Sequence, residues 1–257
     1  MRKKGNSSVA TDIATAAHIL RKSSYVIAFT GAGISTESGI PDFRSPGGLW
    51  EKYDPSIYAD YNNFLKHPGY FWNLAIGIFD TLVRARPNRA HKALVTLERM
   101  GKLKVIITQN IDRLHQKAGS MVPILELHGA YEEFNCINCG KQYSLYEYIA
   151  PRLAAGERVL QCIDCKGYIK PTAVMFGESL PMEVFNETES HLQQCDCMLV
   201  IGSSLQVYPA NTIPLSVKQR GARLIVINQD YTYLDEKADV VLYGRAGILL
   251  PSLVELI

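Results

Sequence analysis

Residues 30–44 constrain the fold of this chain more than any other stretch. They follow an apolar run, residues 25–29, whose strand-forming side chains predict a buried strand that ends at Gly31-Ala32-Gly33. A glycine turn after a strand lets the backbone approach an anion, and the next segment offers a helix N-terminus to a pyrophosphate. The signal is incomplete by itself, because the third glycine of the usual dinucleotide fingerprint is absent.

The rest of the chain alternates between strand and helix patterns. Runs that are apolar on both faces predict four more strands, and amphipathic patterns predict four helices, one of them capped by Asn88. This alternation predicts an α/β fold with a doubly wound, Rossmann-like parallel sheet. The predicted strands are 104–108, 198–201, 223–227 and 239–243, and the predicted helices are 11–22, 90–100, 181–194 and 208–219.

Two stretches interrupt the alternation. Residues 46–86 are rich in aromatic side chains and helix-like patches, and residues 129–177 contain two Cys-x-x-Cys pairs. We interpret the first as a helical insertion and the second as a zinc-ribbon insertion, which together form a smaller domain beside the sheet. The sheet domain then comprises residues 1–45, 87–128 and 178–257, and a cofactor and substrate would meet in the cleft between the domains.

The paired cysteines predict a structural zinc ion. Cys136, Cys139, Cys162 and Cys165 have the spacing of two zinc knuckles, and four thiolates close the metal's coordination shell so that no water can be activated there. The alternative is two redox pairs or unrelated thiols. The remaining cysteines, Cys195 and Cys197, lie at the start of a predicted strand and are interpreted as buried packing thiols.

Charge and hydropathy exclude several classes of protein. The formal net charge of +2 over 257 residues does not suggest electrostatic binding of nucleic acid, and no apolar run reaches the roughly 18 residues of a membrane span. The basic start, residues 2–4, leads into polar residues and is a poor signal peptide. With cysteines in metal-binding spacing, these features predict a cytoplasmic protein in a reducing compartment, and they leave its oligomeric state open.

Polar side chains follow the second predicted strand, at the sheet edge where doubly wound folds bind ligands. The run Thr108-Gln109-Asn110-Ile111-Asp112 offers two amides and a carboxylate, although a simple Asx turn opening the next helix explains them equally well. A general base is also expected in such a cleft, and an imidazole suits that role. The residues alone do not decide between His128 and its rivals His67, His91 and His115.

Four motifs together resemble the sirtuins, the NAD-dependent protein-lysine deacylases. They are residues 30–44, the run 108–112, Leu127-His128-Gly129, and Val174-Met175-Phe176-Gly177-Glu178. The motifs occur in the family's order, and the resemblance extends from about residue 25 to residue 247. Met175 stands where many relatives have an aromatic residue, and Ser203 stands where many have threonine.

The resemblance implies a role for each matching residue. His128 is the general base, Asn110, Asp112 and Ser35 orient the nicotinamide ribose and its carboxamide, and the segment around Val174 pairs with the substrate peptide as an added strand, unless it merely returns the chain to the core. The implied peptide-binding residues are Val174, Phe176, Gly177 and Val207. The implied NAD-binding residues are Gly31, Ala32, Gly33, Glu37, Asp42, Phe43, Arg44, Gln109, Ile111, Gly202, Ser203, Ser204, Asn228, Gln229, Asp230 and Ala246.

The implied reaction is removal of an acyl group from lysine. The acyl oxygen attacks the ribose C1′, nicotinamide leaves to give an alkylimidate, and His128 activates a ribose hydroxyl that attacks this intermediate. The products are lysine, nicotinamide and O-acyl-ADP-ribose. Two alternative functions are a protein mono-ADP-ribosyltransferase and a non-catalytic zinc-ribbon interaction module. The transferase would use the same NAD site, whereas the interaction module would need no complete cleft.

The helical insertion also predicts the preferred acyl group. Relatives that prefer succinyl or malonyl lysine place a Tyr and an Arg at positions that correspond to Ala75 and Ile78, and residues 74–79 contain neither residue type. Arg84 lies too far along the segment to be assumed within reach. Because an unpaired buried carboxylate is costly, we expect neutral acyl groups, acetyl first, to be preferred.

Overall fold

The computed structural model describes residues 6–43 and 47–257, with two sheets and surrounding helices. The strands are β1 Val26–Thr30, β2 Leu103–Thr108, β3 Ile124–Glu126, β4 Phe134–Cys136, β5 Gln142–Tyr143, β6 Ile169–Pro171, β7 Cys197–Ile201, β8 Arg223–Asn228 and β9 Val240–Tyr243. The helices are α1 Asn6–Lys22, α2 Leu49–Lys52, α3 Pro55–Tyr58, α4 Tyr61–Lys66, α5 Pro68–Arg84, α6 Arg89–Arg99, α7 Leu114–Lys117, α8 Ala150–Ala154, α9 Met182–Leu192, α10 Thr212–Gln219 and α11 Ala246–Val254.

The larger sheet has six parallel strands in the order β3-β2-β1-β7-β8-β9. The chain therefore builds one half outward from β1, then returns and builds the other half outward from β7. This is the strand order of a doubly wound dinucleotide-binding sheet, so the predicted fold class is confirmed. The direction of winding reverses between β1 and β7, and the ends of these two strands form the switch point.

The predicted strands all occur, with ends shifted by one residue at most, but one strand of the larger sheet was missed. Strand β3 is three residues long and pairs only with β2, through Ile106 and Ile124, so it lacks the long apolar run that marks a central strand. Helix α10 begins at Thr212, four residues later than predicted. The preceding residues form turns, with Leu205 in a left-handed conformation (φ 55°).

Helices cover both faces of the sheet. On one face α1, α6 and α11 pack against it, with Leu20, Leu97 and Leu253 among their fully or almost fully buried residues. On the other face α9 and α10 contribute Leu192 and Val217. The two central strands, β1 and β7, are buried at every position between these layers, which explains their largely apolar sequence. Within the described residues, no helix is both long enough and apolar enough to cross a bilayer.

The two interrupting stretches pack against each other. Helices α2–α5 lie in the first, and the antiparallel sheet β5-β4-β6 lies in the second. Trp72 of α5 is 1% exposed, and its ring stacks on Phe134 of β4 with centroids 6.2 Å apart. Ile149, Leu160 and Ile169 complete this second apolar core. Large buried aromatic surfaces of this kind join the helical and cysteine-containing stretches into one unit.

Two glycine-containing turns touch at the switch point. The N–H of Gly33, after β1, donates to the carbonyl of Gly202, after β7, over 2.8 Å. A Cβ at Gly33 would lie 2.7 Å from the Cα of Gly202, and a Cβ at Gly31 would lie 2.8 Å from the Gly202 carbonyl oxygen. Gly202 itself has φ +61°, a conformation that favours glycine. Only residues without side chains let the two strand ends approach so closely.

We expect Gly202→Ala to cost at least about 4 kcal/mol in the free energy of unfolding, because the new Cβ would overlap the backbone of residues 33 and 34. Gly221→Ala is the matched control. Gly221 also has a positive φ (+94°), but a Cβ there meets nothing within 4 Å, so it should cost only about 1–2 kcal/mol. Urea unfolding of both variants measures the difference. Equal losses of unfolding free energy in the two variants would mean that the close approach of the two turns does not require glycine at position 202.

Candidate active site

A cleft with two neighbouring cavities lies at the carboxyl edge of β1, β2 and β7. The smaller cavity, about 250 Å³, is lined by residues that follow β1 and β2, including Ala32, Ser35, Asn110 and Asp112. The larger cavity, about 560 Å³, is lined by His128 and by side chains from both interrupting stretches. Ile111 and Gln109 contribute to the walls of both. The structure thus brings the run 108–112 and His128 together.

Three polar side chains form a hydrogen-bonded group beside the smaller cavity. The Ser35 hydroxyl donates to Asp112 Oδ2 over 2.6 Å, and Asn110 Nδ2 donates to Ser35 Oγ over 3.2 Å and to the Gly31 carbonyl over 3.1 Å. All three residues are less than 9% exposed. Each side chain is held in one orientation by the others, so the group presents fixed donors and acceptors to the cavity.

Asp112 is held by its own turn as well. Its Oδ1 accepts the Leu114 N–H over 2.9 Å, which makes it an Asx-type cap of α7. From the sequence, a simple Asx turn and a ligand site were alternative explanations of the run 108–112. In the structure Asp112 forms the turn and also lines the smaller cavity. Burial raises the pKa of Asp112, whereas the hydrogen bonds from Ser35 and Leu114 act in the opposite direction. Those bonds therefore favour the carboxylate in a site poor in water.

Arg113 is a feature that the sequence did not predict. It adopts φ 61°, unusual for a residue with a side chain, between Asp112 and the start of α7. Its guanidinium forms an ion pair with Glu126 over 2.9 Å and with Glu133. Glu126 belongs to β3 and Glu133 to the cysteine-containing stretch, so two segments stabilise the turn at Arg113. These ion pairs therefore help to orient the neighbouring Asp112.

His128 is the histidine that faces the larger cavity. Its Nδ1 lies 3.0 Å from the Gln109 carbonyl, which can only accept, so Nδ1 carries the proton and Nε2 has the free lone pair. Burial lowers the pKa of His128, so the imidazole is neutral at neutral pH. Among its rivals, His67 is exposed beyond α4, and His91 and His115 are buried behind the Ser35 group.

The residues after β7 and β8 lie on the other side of the switch point. Gln109 Nε2 donates to Ser203 Oγ over 2.8 Å, and Asn228 Nδ2 donates to the Ser203 carbonyl over 3.3 Å. Ser203 is buried, and its hydroxyl also accepts the Leu205 N–H over 3.2 Å, so the hydroxyl holds the turn and keeps its own proton to donate. Ser204, Gln229 and Asp230 are exposed at this end of the sheet.

Other predicted cofactor residues are placed around the glycine turn. The Glu37 carboxylate accepts the Gly247 N–H over 2.7 Å and thereby binds the first turn of α11, where Ala246 is buried. Phe43 contacts Trp50 with ring centroids 5.1 Å apart, and the carbonyl of Asp42 accepts the Leu49 N–H. Arg44 lies outside the described residues.

The segment from Val174 to Gly177 lies along the larger cavity. The Val174 N–H donates to the His128 carbonyl over 2.9 Å, and both backbone groups of Phe176 bond to residues 59 and 61. Phe176 and Gly177 are exposed, whereas Met175 is buried. Val207 also lines this cavity. The backbone of Gly177 is therefore more accessible to a peptide than that of Phe176.

An ion pair between the buried Lys170 and the partly exposed Glu178 fixes this segment in place. Lys170 Nζ is 3.1 Å from Glu178 Oε2 and donates to the carbonyls of Pro171 and Ala173. Glu178 Oε2 also accepts the Met175 N–H over 3.0 Å. No local pattern in the sequence marks Lys170 as buried, since its partner lies eight residues away across a turn.

The four paired cysteines form one cluster. Their sulfur atoms all lie within 4.8 Å of one another, with Cys136 and Cys165 3.4 Å apart and Cys139 and Cys162 3.7 Å apart. Zn–S bonds of about 2.3 Å in a tetrahedron require sulfur atoms about 3.8 Å apart, so the cluster fits zinc. The Tyr143 hydroxyl donates to the Cys162 sulfur over 3.0 Å, as outer-shell groups do around thiolate ligands.

The comparisons with known proteins agree with this geometry. A model of the Sir2 family matches residues 31–209. NAD-dependent protein deacylase 2 of Archaeoglobus fulgidus is 45% identical over 245 residues, which are 95% of each chain. NAD-dependent protein deacetylase 1 of Pyrobaculum aerophilum is 45% identical over 239 residues, 93% of this chain and 92% of the relative.

Solved structures give the same result. A chain described under the mechanism and regulation of Sir2 enzymes superposes with a TM-score of 0.89, at 44% identity and with 96% of this chain and 97% of that chain covered. A Sir2 complex with p53 peptide and NAD⁺ has a TM-score of 0.85, 37% identity and coverages of 93% and 95%. A Sir2 variant with deacetylated p53 peptide and 3′-O-acetyl ADP-ribose has a TM-score of 0.87, 38% identity and coverages of 93% and 96%.

We expect Cys165→Ala to abolish stoichiometric zinc binding and to cost about 4 kcal/mol, which lowers the Tm by roughly 10 °C. Cys195→Ala is the matched control, because Cys195 is half-buried and lies outside the cluster. Metal analysis and thermal unfolding measure both effects. A metal-free variant with the wild-type Tm would refute a structural role for zinc.

Proposed function

Because the chain belongs to the Sir2 family, we propose that its cleft removes acyl groups from protein lysines with NAD as co-substrate. The protein is an NAD-dependent protein deacylase, and the proposal concerns which of its residues perform each part of the reaction. The observation that carries it is the hydrogen-bonded group of Ser35, Asn110 and Asp112 beside one cavity, with the Nε2 lone pair of His128 facing the next.

The described residues fit NAD. Gly31 and Gly33 let the turn after β1 lie against the backbone of Gly202, and a glycine turn of this kind at a switch point is where other doubly wound folds bind a pyrophosphate. The exposed residues after β7 and β8 are suited to the ribose and adenine. We therefore assign NAD binding to the set predicted from the sequence: Gly31, Ala32, Gly33, Glu37, Asp42, Phe43, Arg44, Gln109, Ile111, Gly202, Ser203, Ser204, Asn228, Gln229, Asp230 and Ala246.

At the smaller cavity, the protein orients the reacting end of NAD. NAD supplies a ribose carbon that takes up the acyl oxygen as nicotinamide leaves. Asn110, Ser35 and Asp112 orient the ribose and the carboxamide, because their own orientations are already fixed by mutual hydrogen bonds. Preorganised polar groups in a buried site stabilise developing charge without first having to reorient.

At the larger cavity, His128 accepts a proton. Its Nδ1–H is held by the Gln109 carbonyl, so Nε2 takes the proton from a ribose hydroxyl, and that hydroxyl then attacks the acyl carbon. Phe43, Trp50 and Phe176 form a chain of ring contacts at the cavity wall, with centroids 5.1 Å and 6.0 Å apart. These rings exclude water, which favours transfer of the acyl group to ADP-ribose.

The substrate peptide is proposed to bind beside Val174, Phe176, Gly177 and Val207. The Phe176 side chain and the Gly177 backbone are exposed next to the cavity that His128 lines, and an extended peptide can add at Gly177 by backbone hydrogen bonds. The Lys170–Glu178 ion pair holds this edge in place. An acyl-lysine side chain would then enter the larger cavity toward His128.

We also propose a division of the chain into an NAD-binding domain (1–45, 87–128 and 178–257), a helical insertion (46–86) and a zinc-ribbon insertion (129–177). All six strands of the large sheet fall in the first set, α2–α5 fall in the second range, and β4–β6 with the cysteine cluster fall in the third. Four free thiols that bind zinc also favour a reducing, cytoplasmic location.

The walls of the larger cavity support a preference for neutral acyl groups. Leu74, Ala75, Ile78 and Phe79 of α5 line it, and all are apolar. Arg84, the nearest arginine in sequence, forms an ion pair with Asp80 and is largely exposed, away from this wall. The described residues that line this cavity include no lysine or arginine, so a carboxylate placed here would lack a cationic partner among them, whereas an acetyl group or a longer apolar chain loses no charge interaction.

We expect His128→Ala to lower kcat for deacylation by at least about 10²–10⁴-fold while NAD affinity and Tm stay near wild type, because only the base is lost. His67→Ala, which removes an exposed histidine, is the control and should leave turnover unchanged. Mass spectrometry of an acetyl-lysine peptide with NAD measures lysine release and O-acetyl-ADP-ribose together. In the wild type, burial lowers the pKa of His128, so the acid limb of kcat/KM against pH should have its midpoint below 6.5. Normal turnover by folded His128→Ala would assign the base elsewhere.

We expect kcat/KM for succinyl-lysine to be at least about 100-fold lower than for acetyl-lysine on the same peptide, since an unpaired buried charge costs several kcal/mol. Ile78→Arg should raise succinyl removal relative to acetyl removal, because Ile78 lines both cavities and a guanidinium there can pair with the carboxylate. Val83→Arg on the same helix, outside the cavity walls, is the control. Equal efficiency on both peptides in the wild type would disprove the preference.

A further inference from the structure

Two buried histidines lie behind the Ser35 group, and each has a ring nitrogen without a partner. His91, in the first turn of α6, and His115, in α7, are 1% and 2% exposed, and their ring centroids are 5.0 Å apart. Nε2 of His91 and Nδ1 of His115 make no hydrogen bond with any described group. Unpaired buried nitrogens are costly, so the pairing of these two rings requires an explanation.

The proton position on His91 follows from its other nitrogen. The backbone N–H of Asn88 donates to His91 Nδ1 over 3.3 Å, so Nδ1 has the lone pair. Burial lowers the pKa of His91 to about 4, so the ring is neutral at neutral pH and its single proton is on Nε2. The unpartnered nitrogen of His91 is therefore a donor.

The proton position on His115 follows from two threonines. The Thr30 hydroxyl donates to Thr108 Oγ1 over 2.8 Å, and His115 Nε2 lies 3.0 Å from the same Thr30 oxygen. Because the Thr30 proton is already used, His115 Nε2 must be the donor in this contact. Burial lowers the pKa of His115 well below its usual value, so the ring is neutral and Nδ1 has the lone pair. The unpartnered nitrogen of His115 is therefore an acceptor, complementary to that of His91.

We propose that His91 and His115 form a directed hydrogen-bond chain, closed directly or through one water, and that His115 is a positioning residue for Asn110. The chain runs from His91 Nε2–H to His115 Nδ1, from His115 Nε2–H to Thr30, and from Thr30 to Thr108. Thr108 Oγ1 also accepts the Asn110 N–H over 3.0 Å, so the chain ends on the backbone of Asn110.

The chain connects the segments that form the smaller cavity. Thr30 immediately precedes the glycine turn, and Thr108 immediately precedes Gln109 and Asn110. At the other end, Asn88 Nδ2 donates to the Ile34 carbonyl over 2.7 Å. A shift of either histidine would thus be transmitted to both sides of the NAD site. This inference rests on the role proposed for Asn110, but the proton positions can be tested without it.

The first experiment reads those proton positions in the zinc-loaded wild-type protein. Long-range ¹H–¹⁵N spectra of ¹⁵N-histidine-labelled protein at neutral pH distinguish the two neutral tautomers, and loss of a signal in His91→Gln or His115→Gln assigns it. We expect both rings to carry the proton on Nε2. A proton on Nδ1 of His115, or a protonated ring, would overturn the proposal whether or not the protein deacylates lysine.

The second experiment separates hydrogen bonding from packing. Thr30→Val keeps the volume of the side chain and removes the hydroxyl, whereas Thr30→Ser keeps the hydroxyl and removes a methyl group. We expect Thr30→Val to lower kcat/KM for NAD about tenfold, the value of one buried hydrogen bond, with peptide KM unchanged. Thr30→Ser should stay within about twofold of wild type.

Calorimetric NAD binding provides the readout that does not depend on catalysis. Thr30→Val should weaken NAD binding, and Thr30→Val/Thr108→Val should be no worse than Thr30→Val alone, because both substitutions break the same chain. If Thr30→Ser is as impaired as Thr30→Val, or if the two threonine effects multiply, the threonines act by packing and the proposal is wrong. If no deacylation occurs in the wild type, the proposed function fails instead.

Discussion

The cleft depends on the contact between the turns that follow β1 and β7. The backbone of Gly33 touches that of Gly202, and no side chain separates the two halves of the sheet at this point. The contact fixes where the strand ends diverge, and such a switch point is where doubly wound sheets bind dinucleotides. The polar residues after β2 and β7 converge only because their strands flank this contact.

The hydrogen-bonded polar side chains beside the two cavities are buried or half-buried, and directed hydrogen bonds compensate for this burial. Ser35 and Leu114 donate to Asp112, the Gln109 carbonyl accepts from His128, and Thr108 accepts from the Asn110 backbone. Such bonds determine which atoms remain available. They leave the Nε2 lone pair of His128 without a partner in the Gln109 contact and hold Asp112 in one orientation, so the polar loop has defined proton positions.

The zinc ribbon and the helical insertion act on the site through packing. Trp72 stacks on Phe134 beside the cysteine cluster, and both rings also form part of the wall of the larger cavity. The cavity that would receive an acyl group thus lies between two modules whose relative position depends on this apolar core. Four thiolates around one zinc ion would stabilise one side of that core and would leave no open position on the metal for chemistry.

The sequence by itself determined the fold class, the positions of the central strands, the cysteine cluster and the run 108–112, because these signals are local: hydrophobic period, turn residues and ligand spacing. Strand β3, the left-handed Arg113 and the buried Lys170 were not predictable, since each depends on partners elsewhere in the fold. Only the tertiary structure placed His128 at the cavity and His91 against His115. A hydrogen bond between distant residues is set by how the sheet and helices pack, and no spacing along the chain encodes it.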